Sequence, residues 1–515
     1  MRNLVVCCDG TWQDMVDRSN VLRLREALDP SVKAEYVPGV GTGDLWDRLR
    51  GGVTGWGLSA ALLHGYRFRV AEYRSGDSIS VFGFSRGAYT ARSLAGMIAG
   101  VGIVDGAGLD ERQREAAVRQ ALRRYQALRA ERKAAGGGPR AAAAARTENG
   151  ELRLAYDPRS PDIPVVFVGV WDTVGALGIP SYVGIPDLLR SRERYEFLDV
   201  VLDPRIPHAR HAVSLDEMRG PFRPALWQRP APSQDVEQVW FPGDHCDVGG
   251  GHRDDSRLSD GALKWMIEEA EAAIGLPFDQ AKVAAIVPDA VKGTLHGMPR
   301  GPWGAVAEIA MQPRPRTTPL VDQARPLPDP VSAYAYQRQN ATRHLPPDEQ
   351  YRPSRTLRPG EKADVLVDVR RGWNATGLYL EPGTYRFTAS GEWSTPFGRS
   401  GPAGLPRWPV VGDAFGKVVD LVERGLRGLL ANPDAELAGA RREADEPLMV
   451  LIGDVADEVT DAEGNVVERD EKLVIGDDLD APAERPGYPW AYANDAWGAY
   501  GNNRGQVTLT VSRQT

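Results

Sequence analysis

The chain has 515 residues, more than one ordinary hydrophobic core organises, and a length of this order suggests about three structural units. Hydrophobic residues make up 42% and charged residues 26%, which excludes a fully disordered chain. The formal net charge of −8, from 62 basic and 70 acidic side chains, excludes a strongly basic nucleic-acid binder, so nucleic acid is not an expected partner.

In chain order, Asn3–Cys8 is an apolar run that predicts a buried strand. Its apolar part, Leu4–Cys8, is too short for a signal-peptide core, and export through a cleaved signal is not expected. Gly57–Tyr73 carries apolar residues at helical spacing, Ser78–Phe84 reads as a second strand, and Ala88–Ala99 as a second helix. Residues 109–150 interrupt the pattern with an Arg-rich helix-prone stretch and then an Ala/Gly/Arg-rich one, read as a lid or flexible insertion. Pro164–Val170 and Val236–Phe241 read as strands, Ala209–Met218 as a helix plus strand, and Leu258–Ile274 as a helix. Strands alternating with helices predict a mainly parallel sheet covered on both faces. Residues 275–360 are Pro-rich and read as loops and short helices. From about residue 356 the pattern becomes short alternating strands, with a helical insertion expected over 412–445. The division is therefore an α/β unit over 1–355 and an all-β unit over 356–515. No run of ~18 apolar residues predicts a membrane span. Three cysteines, Cys7, Cys8 and Cys246, rule out a disulfide scaffold and fit a reducing compartment.

Gly83-Phe84-Ser85-Arg86-Gly87 fits G-x-S-x-G, and the strand before it with the helix after it makes the strand–turn–helix of a nucleophile elbow. Ser85 is the candidate nucleophile, and the Arg86 N–H at the helix start is a candidate oxyanion donor. A nucleophilic serine needs a base and an orienter for that base. Asp172 follows the strand Pro164–Val170, where ligand sites of parallel sheets gather. His245 follows the strand Val236–Phe241 on a Gly-rich loop, with His252 as competitor. A metal site of His245, Cys246, Asp247 and His252 matches no standard zinc spacing.

Cys8-Asp9-Gly10-Thr11-Trp12, the elbow with Ala88-Tyr89-Thr90-Ala91-Arg92, Val170-Trp171-Asp172-Thr173-Val174-Gly175, and Trp240–Gly251 together resemble one family. It is the α/β-hydrolase family that includes the phospholipase effectors of bacterial type VI secretion systems. The resemblance covers about residues 1–355. It implies an α/β-hydrolase core and ester hydrolysis by a triad of Ser85, Asp172 and His245. It also implies a second oxyanion donor at Gly10 or Thr11, in the turn after the first strand. Two departures stand beside His245: Asp244 adds a negative charge before it, and Cys246 follows it where the family commonly has a small polar residue.

The tail has its own resemblance. Gly377-Leu378-Tyr379-Leu380, Ala389-Ser390-Gly391-Glu392-Trp393, Gly401-Pro402-Ala403-Gly404 and Asn494–Asn503 look like the calcium-dependent galactose-binding lectin of pseudomonads. That implies a small β-sandwich and a Ca²⁺ held by Asp495, Ala499 (through its carbonyl), Asn502 and Asn503. The lectin's sugar-contacting loop is replaced here by Leu405-Pro406-Arg407-Trp408-Pro409.

The expected function is a serine esterase or phospholipase with a lectin-like targeting domain. The alternatives are a glycan-binding or docking protein on a hydrolase scaffold, and a cytosolic carboxylesterase acting on soluble esters. Expected partners are a lipid or phospholipid substrate, a glycan, and a secretion-apparatus or immunity protein. The protein is expected to be made in the bacterial cytoplasm and exported by type VI secretion.

Overall fold

The structure is a computed structural model. It describes residues 2–10, 18–39, 55–134, 152–174, 202–227 except 221, 231–298, 304, 307, 308, 311–316, 330–345, 350, 351, 354–405 except 397, 442–460 except 444, and 466–514. Thr11, the stretch 135–150 and most of the 412–445 insertion lie outside the described residues.

The described strands of the first half are β1 (Asn3–Cys8), β2 (Lys33–Val37), β3 (Ser78–Phe84), β4 (Ile103–Val104), β5 (Leu154–Tyr156), β6 (Val165–Trp171), β7 (His208–Ser214) and β8 (Asp235–Phe241). Six of them form one sheet in the order β2-β1-β3-β6-β7-β8, with every pairing parallel. The sheet with its covering helices is the α/β-hydrolase arrangement expected. Side chains alternate across a strand, and β1 divides accordingly. Leu4, Val6 and Cys8 enter one core, with Leu94 and Ile98 of the Arg86–Val101 helix. Val5 and Cys7 enter the other, with Leu263 and Ile267 of the Arg257–Ile274 helix. A sheet buried on both faces explains why β1 and β3 read as continuous apolar runs.

The helix Glu111–Ala134 is Arg-rich yet anchored. Val118, Ala121, Tyr125 and Leu128 recur three or four residues apart and are buried. Val118, Ala121 and Tyr125 pack the helical half of the anticipated lid onto the first core.

β7 corrects the expectation of a helix within Ala209–Met218. His208–Ser214 is strand throughout. Its Arg and His residues disguise the strand because each is paired inside the fold. Arg210 bridges Asp235 (2.8 Å) and Glu269 (2.7 Å). His211 sits between the Thr173 N–H (3.1 Å) and Gln238 Oε1 (3.3 Å). Burial pushes the His211 pKa down to about 3, so the ring is neutral and its Nε2 accepts from Thr173.

The second half is antiparallel. Its strands are β9 (Arg355–Thr356), β10 (Lys362–Asp368), β11 (Asn374–Ala375), β12 (Leu378–Tyr379), β13 (Gly383–Thr395), β14 (Gly398–Ser400), β15 (Leu451–Thr460), β16 (Val466–Val474), β17 (Asp478–Ala483), β18 (Tyr488–Ala493) and β19 (Arg504–Arg513). One sheet runs β10-β19-β13-β14 with β17 beside β13, and another runs β11-β18-β15-β16. Phe387, Trp393, Val507 and Leu509 of the first share a core with Leu451, Val455, Leu473 and Ala491 of the second, which makes a sandwich.

A short segment joins the two halves. Pro313 O accepts the Trp373 indole N–H (2.6 Å). Arg314 lies 3.9 Å from Asp454, and Glu308 accepts the Gly498 N–H (3.1 Å). No described helix is long and apolar enough to cross a membrane.

Gly169 on β6 is a packing requirement. A Cβ there would stand 2.6 Å from Met266 Sδ and 2.7 Å from Phe82. We expect Gly169→Ala to lower stability by about 1–3 kcal/mol, read as a fall in the urea midpoint at unchanged slope.

Candidate active site

The strand order fixes where the site lies. From β1 the chain moves outward to β2 and then returns to β3 on the other side of β1. The loops leaving the C-terminal ends of β1 and β3 therefore diverge, and that crevice is where open parallel sheets bind ligands. Ser85 follows β3, Asp172 follows β6, and His245 follows β8 across a three-residue turn.

These three side chains meet. His245 Nε2 is 2.8 Å from Ser85 Oγ, and His245 Nδ1 is 2.6 Å from Asp172 Oδ2. All three residues are buried, with Asp172 at 0% exposure. Phe84 and Phe222 flank the imidazole, with ring centroids at 4.6 and 4.9 Å.

Ser85 has φ 57° and ψ −125°, a conformation costing a non-glycine residue about 1–3 kcal/mol. Small neighbours make it attainable. A Cβ on Gly83 would lie 2.5 Å from Gly87 O, and one on Gly87 would lie 2.3 Å from Cys8 O. The backbone bond from Ser85 N to Trp171 O (3.1 Å) ties the turn to β6.

Asp172 is the most heavily bonded group here. Its Oδ1 accepts from Ser214 N (2.9 Å) and an Arg316 terminal nitrogen (2.6 Å). Its Oδ2 accepts from His245 Nδ1 and the other Arg316 terminal nitrogen (2.9 Å). Burial alone would raise its pKa, but the Arg316 charge and the bonds from His245 and Arg316 hold the carboxyl well below the usual range. An ionised Asp172 fixes the His245 tautomer. Nδ1 carries the proton, and the Nε2 lone pair faces Ser85.

The His245 loop is held by close backbone approach. Gly243 has φ 106°, and a Cβ there would lie 2.1 Å from Asp247 Cβ. A Cβ on Gly249 would enter the Phe84 ring at 1.9 Å. Asn20 donates to Val248 O and Ser259 O, both at 2.9 Å. The two ring nitrogens of His245 are engaged by Ser85 and Asp172, and the Asp244 carboxylate is bonded elsewhere. It caps the short helix His245–Gly249, accepting from Cys246 N and Asp247 N at 2.9 Å, and it also meets His252 (3.0 Å). The four-residue metal set weighed from the sequence is not assembled around His245, because that ring joins Ser85 and Asp172 instead.

Arg86 begins the helix Arg86–Val101, beside Ser85. The Gly10 N–H donates to Asp9 Oδ1 (2.7 Å), while Asp9 Oδ2 accepts from Ser19 Oγ (2.5 Å) and Tyr36 OH (2.7 Å). In the tail, Asp495 Oδ2 accepts from Asn503 Nδ2 (2.7 Å), and its Oδ1 from Ala496 N (2.7 Å). Ala499 precedes the 3₁₀ turn Tyr500–Asn502, on which Asn502 is exposed.

Residues 2–269 match the family described as type VI secretion system, phospholipase effector Tle1-like, catalytic domain. The chain belongs to this Tle1-like family. The match covers β1 to β8 and all three converging residues. A relative in Saccharomyces cerevisiae, the uncharacterized protein YEL023C, is 28% identical over 242 residues, 43% of this chain and 32% of that protein. The chain thus spans about a third of the length of that curated relative. Among solved structures, an uncharacterized protein from Pseudomonas aeruginosa is 16% identical, covering 60% of this chain and 50% of that one at a TM-score of 0.28. The EclA N-terminal domain, a PllA-like lectin, is 16% identical, covering 29% of this chain and 94% of that one at a TM-score of 0.17.

Arg316 and Asn20 are the site residues that sequence reading missed. Arg316 lies in Met311–Arg316, a stretch without periodicity. The one available signal was chemical: a buried carboxylate needs a cation. Arg316→Met leaves Asp172 charged and unpaired, and we expect it to cost about 3–5 kcal/mol at neutral pH. Much of that loss is expected to vanish in a double-mutant cycle with Asp172→Asn, measured by chemical denaturation.

Proposed function

We propose that this Tle1-like chain is a serine esterase acting on phospholipid acyl esters. The observation that carries the reading is His245 hydrogen-bonded at once to Ser85 and to an ionised Asp172. In this reading His245 Nε2 takes the proton of Ser85 Oγ as the oxygen attacks the ester carbonyl. Asp172 stabilises the imidazolium that forms, and Arg316 keeps Asp172 ionised. His245 then gives the proton to the leaving alcohol, and water releases the acyl group by the same route. The Arg86 N–H, at the positive end of its helix, is assigned to the oxyanion. Gly10 becomes the second donor once its N–H leaves Asp9; Thr11 is the alternative in the same turn. The family's description supports the lipid substrate, type VI export and an immunity-protein partner.

The tail is assigned a calcium-dependent targeting role toward a glycan or cell surface. The residues present fit the ion. Asn503 Oδ1 is buried without a hydrogen-bond partner, and the Asp495 carboxylate sits beside the Asn503 amide. Asp495, Asn502, Asn503 and the Ala499 carbonyl would hold Ca²⁺, which supplies a fixed positive charge for oxygen donors.

Ser85→Ala and Asp172→Asn are each expected to lower fatty-acid release from phospholipid vesicles by about 10⁴-fold or more. Turnover of soluble nitrophenyl esters without vesicle turnover would overturn the lipid assignment. Vesicle hydrolysis retained in Ser85→Ala would overturn the mechanism. For the tail, Asn503→Ala should abolish the calcium-induced rise in melting temperature while leaving soluble-ester turnover unchanged.

A further inference from the structure

A second cluster, outside the Ser85–His245–Asp172 chain, joins residues far apart in sequence. Asp247 Oδ1 is 2.6 Å from His296 Nδ1 and 3.8 Å from His252 Nε2. The three ligand-type atoms lie within 4.8 Å of one another. The two imidazoles stack at 3.6 Å between centroids, with planes 16° apart. We propose that Asp247, His252 and His296 form a zinc-class divalent metal site, which fastens the loop carrying His296 to the short helix carrying His245.

The donor set is the first argument. Two imidazoles and a carboxylate suit Zn²⁺ and its neighbours, which bind such atoms at about 2.0–2.2 Å in a tetrahedral array. That array sets ligand atoms about 3.3–3.5 Å apart, which the observed 2.6 and 3.8 Å separations bracket; binding also requires the two rings to turn out of their stack so that both nitrogen lone pairs meet one ion. Water would fill the fourth position, with Asp244 adding negative charge next to it (Oδ1 to His252 Nε2, 3.0 Å).

The outer shell is the second argument. His296 Nε2 faces Asp254 Oδ2 at 3.2 Å. Both ring nitrogens of His296 thus face carboxylates, so neither is left without a partner. With a metal on Nδ1 the ring stays neutral, and Nε2–H donates to Asp254. This is the carboxylate–histidine–metal relay that orients ligating histidines. The remaining Asp247 oxygen is also engaged. Oδ2 accepts from His296 N (3.0 Å) and Asp244 N (3.0 Å), turning Oδ1 toward the two rings.

The test uses the full chain, stripped of metal with dipicolinate and titrated with Zn²⁺ by calorimetry in calcium-free buffer. One Zn²⁺ per chain with a submicromolar Kd is expected, with a matching rise in melting temperature. His252→Ala and His296→Ala should each weaken binding 100-fold or more. Asp254→Asn should weaken it about 10-fold; Asp254 is exposed, so this variant guards against a failure to fold. Asp495→Asn should leave zinc binding unchanged. Binding weaker than 100 μM, or affinity unmoved in both histidine variants, would overturn the site. The readout is metal affinity, so the result stands apart from the esterase reading.

Discussion

Asp172 is an ionised carboxylate with no exposure to water, and such a group is tolerated only when countercharge and hydrogen bonds replace its hydration. Arg316 supplies the charge through two parallel bonds. Ser214 and His245 supply the other two hydrogen bonds. Much of the surrounding architecture follows from keeping that arrangement intact. β6 and β7 must end side by side so that Ser214 N reaches Asp172. The segment 311–316 must return to the sheet so that Arg316 can lie against both. Arg316 also donates to Ser214 O (2.8 Å) and Phe222 O (2.6 Å), which binds the pieces into one unit.

A second constraint comes from steric exclusion. Ser85 adopts its unfavourable backbone only because Gly83 and Gly87 let the strand end, the elbow helix and the β1 carbonyls come within contact of one another. Gly249 does the same on the opposite wall, where Phe84 occupies the space a side chain would need. One wall thus presents the hydroxyl and the other the imidazole, and the two glycine-lined approaches set the separation between them.

The parallel sheet was legible because its central strands are apolar without interruption, and the elbow because glycines flanked a serine between a strand and a helix. Asp172 and His245 were legible from their place after strands. β7 was not, because its polar side chains are paired across the sheet and mimic a surface segment. β17 was missed for a different reason. Its sequence, Asp478-Leu479-Asp480-Ala481-Pro482-Ala483, carries acids and a proline, which a strand paired, among the described residues, with β13 alone tolerates on its other side. Arg316, Asn20 and His296 were invisible because long-range pairing leaves no local pattern: Arg316 meets Asp172, Asn20 meets Val248 and His296 meets Asp247, all distant in sequence.

The joining segment has a mechanical meaning. Within nine residues it receives Gly498 on Glu308, seats Trp373 on Pro313, sets Arg314 beside Asp454, and delivers Arg316 to Asp172. Gly498 sits between Asp495 and Asn503 in the same turn. The sandwich is therefore tied to the first half through the same stretch of chain that carries the guanidinium. The carboxylate that meets Gly498 and the guanidinium that meets Asp172 are thus only eight positions apart in the chain.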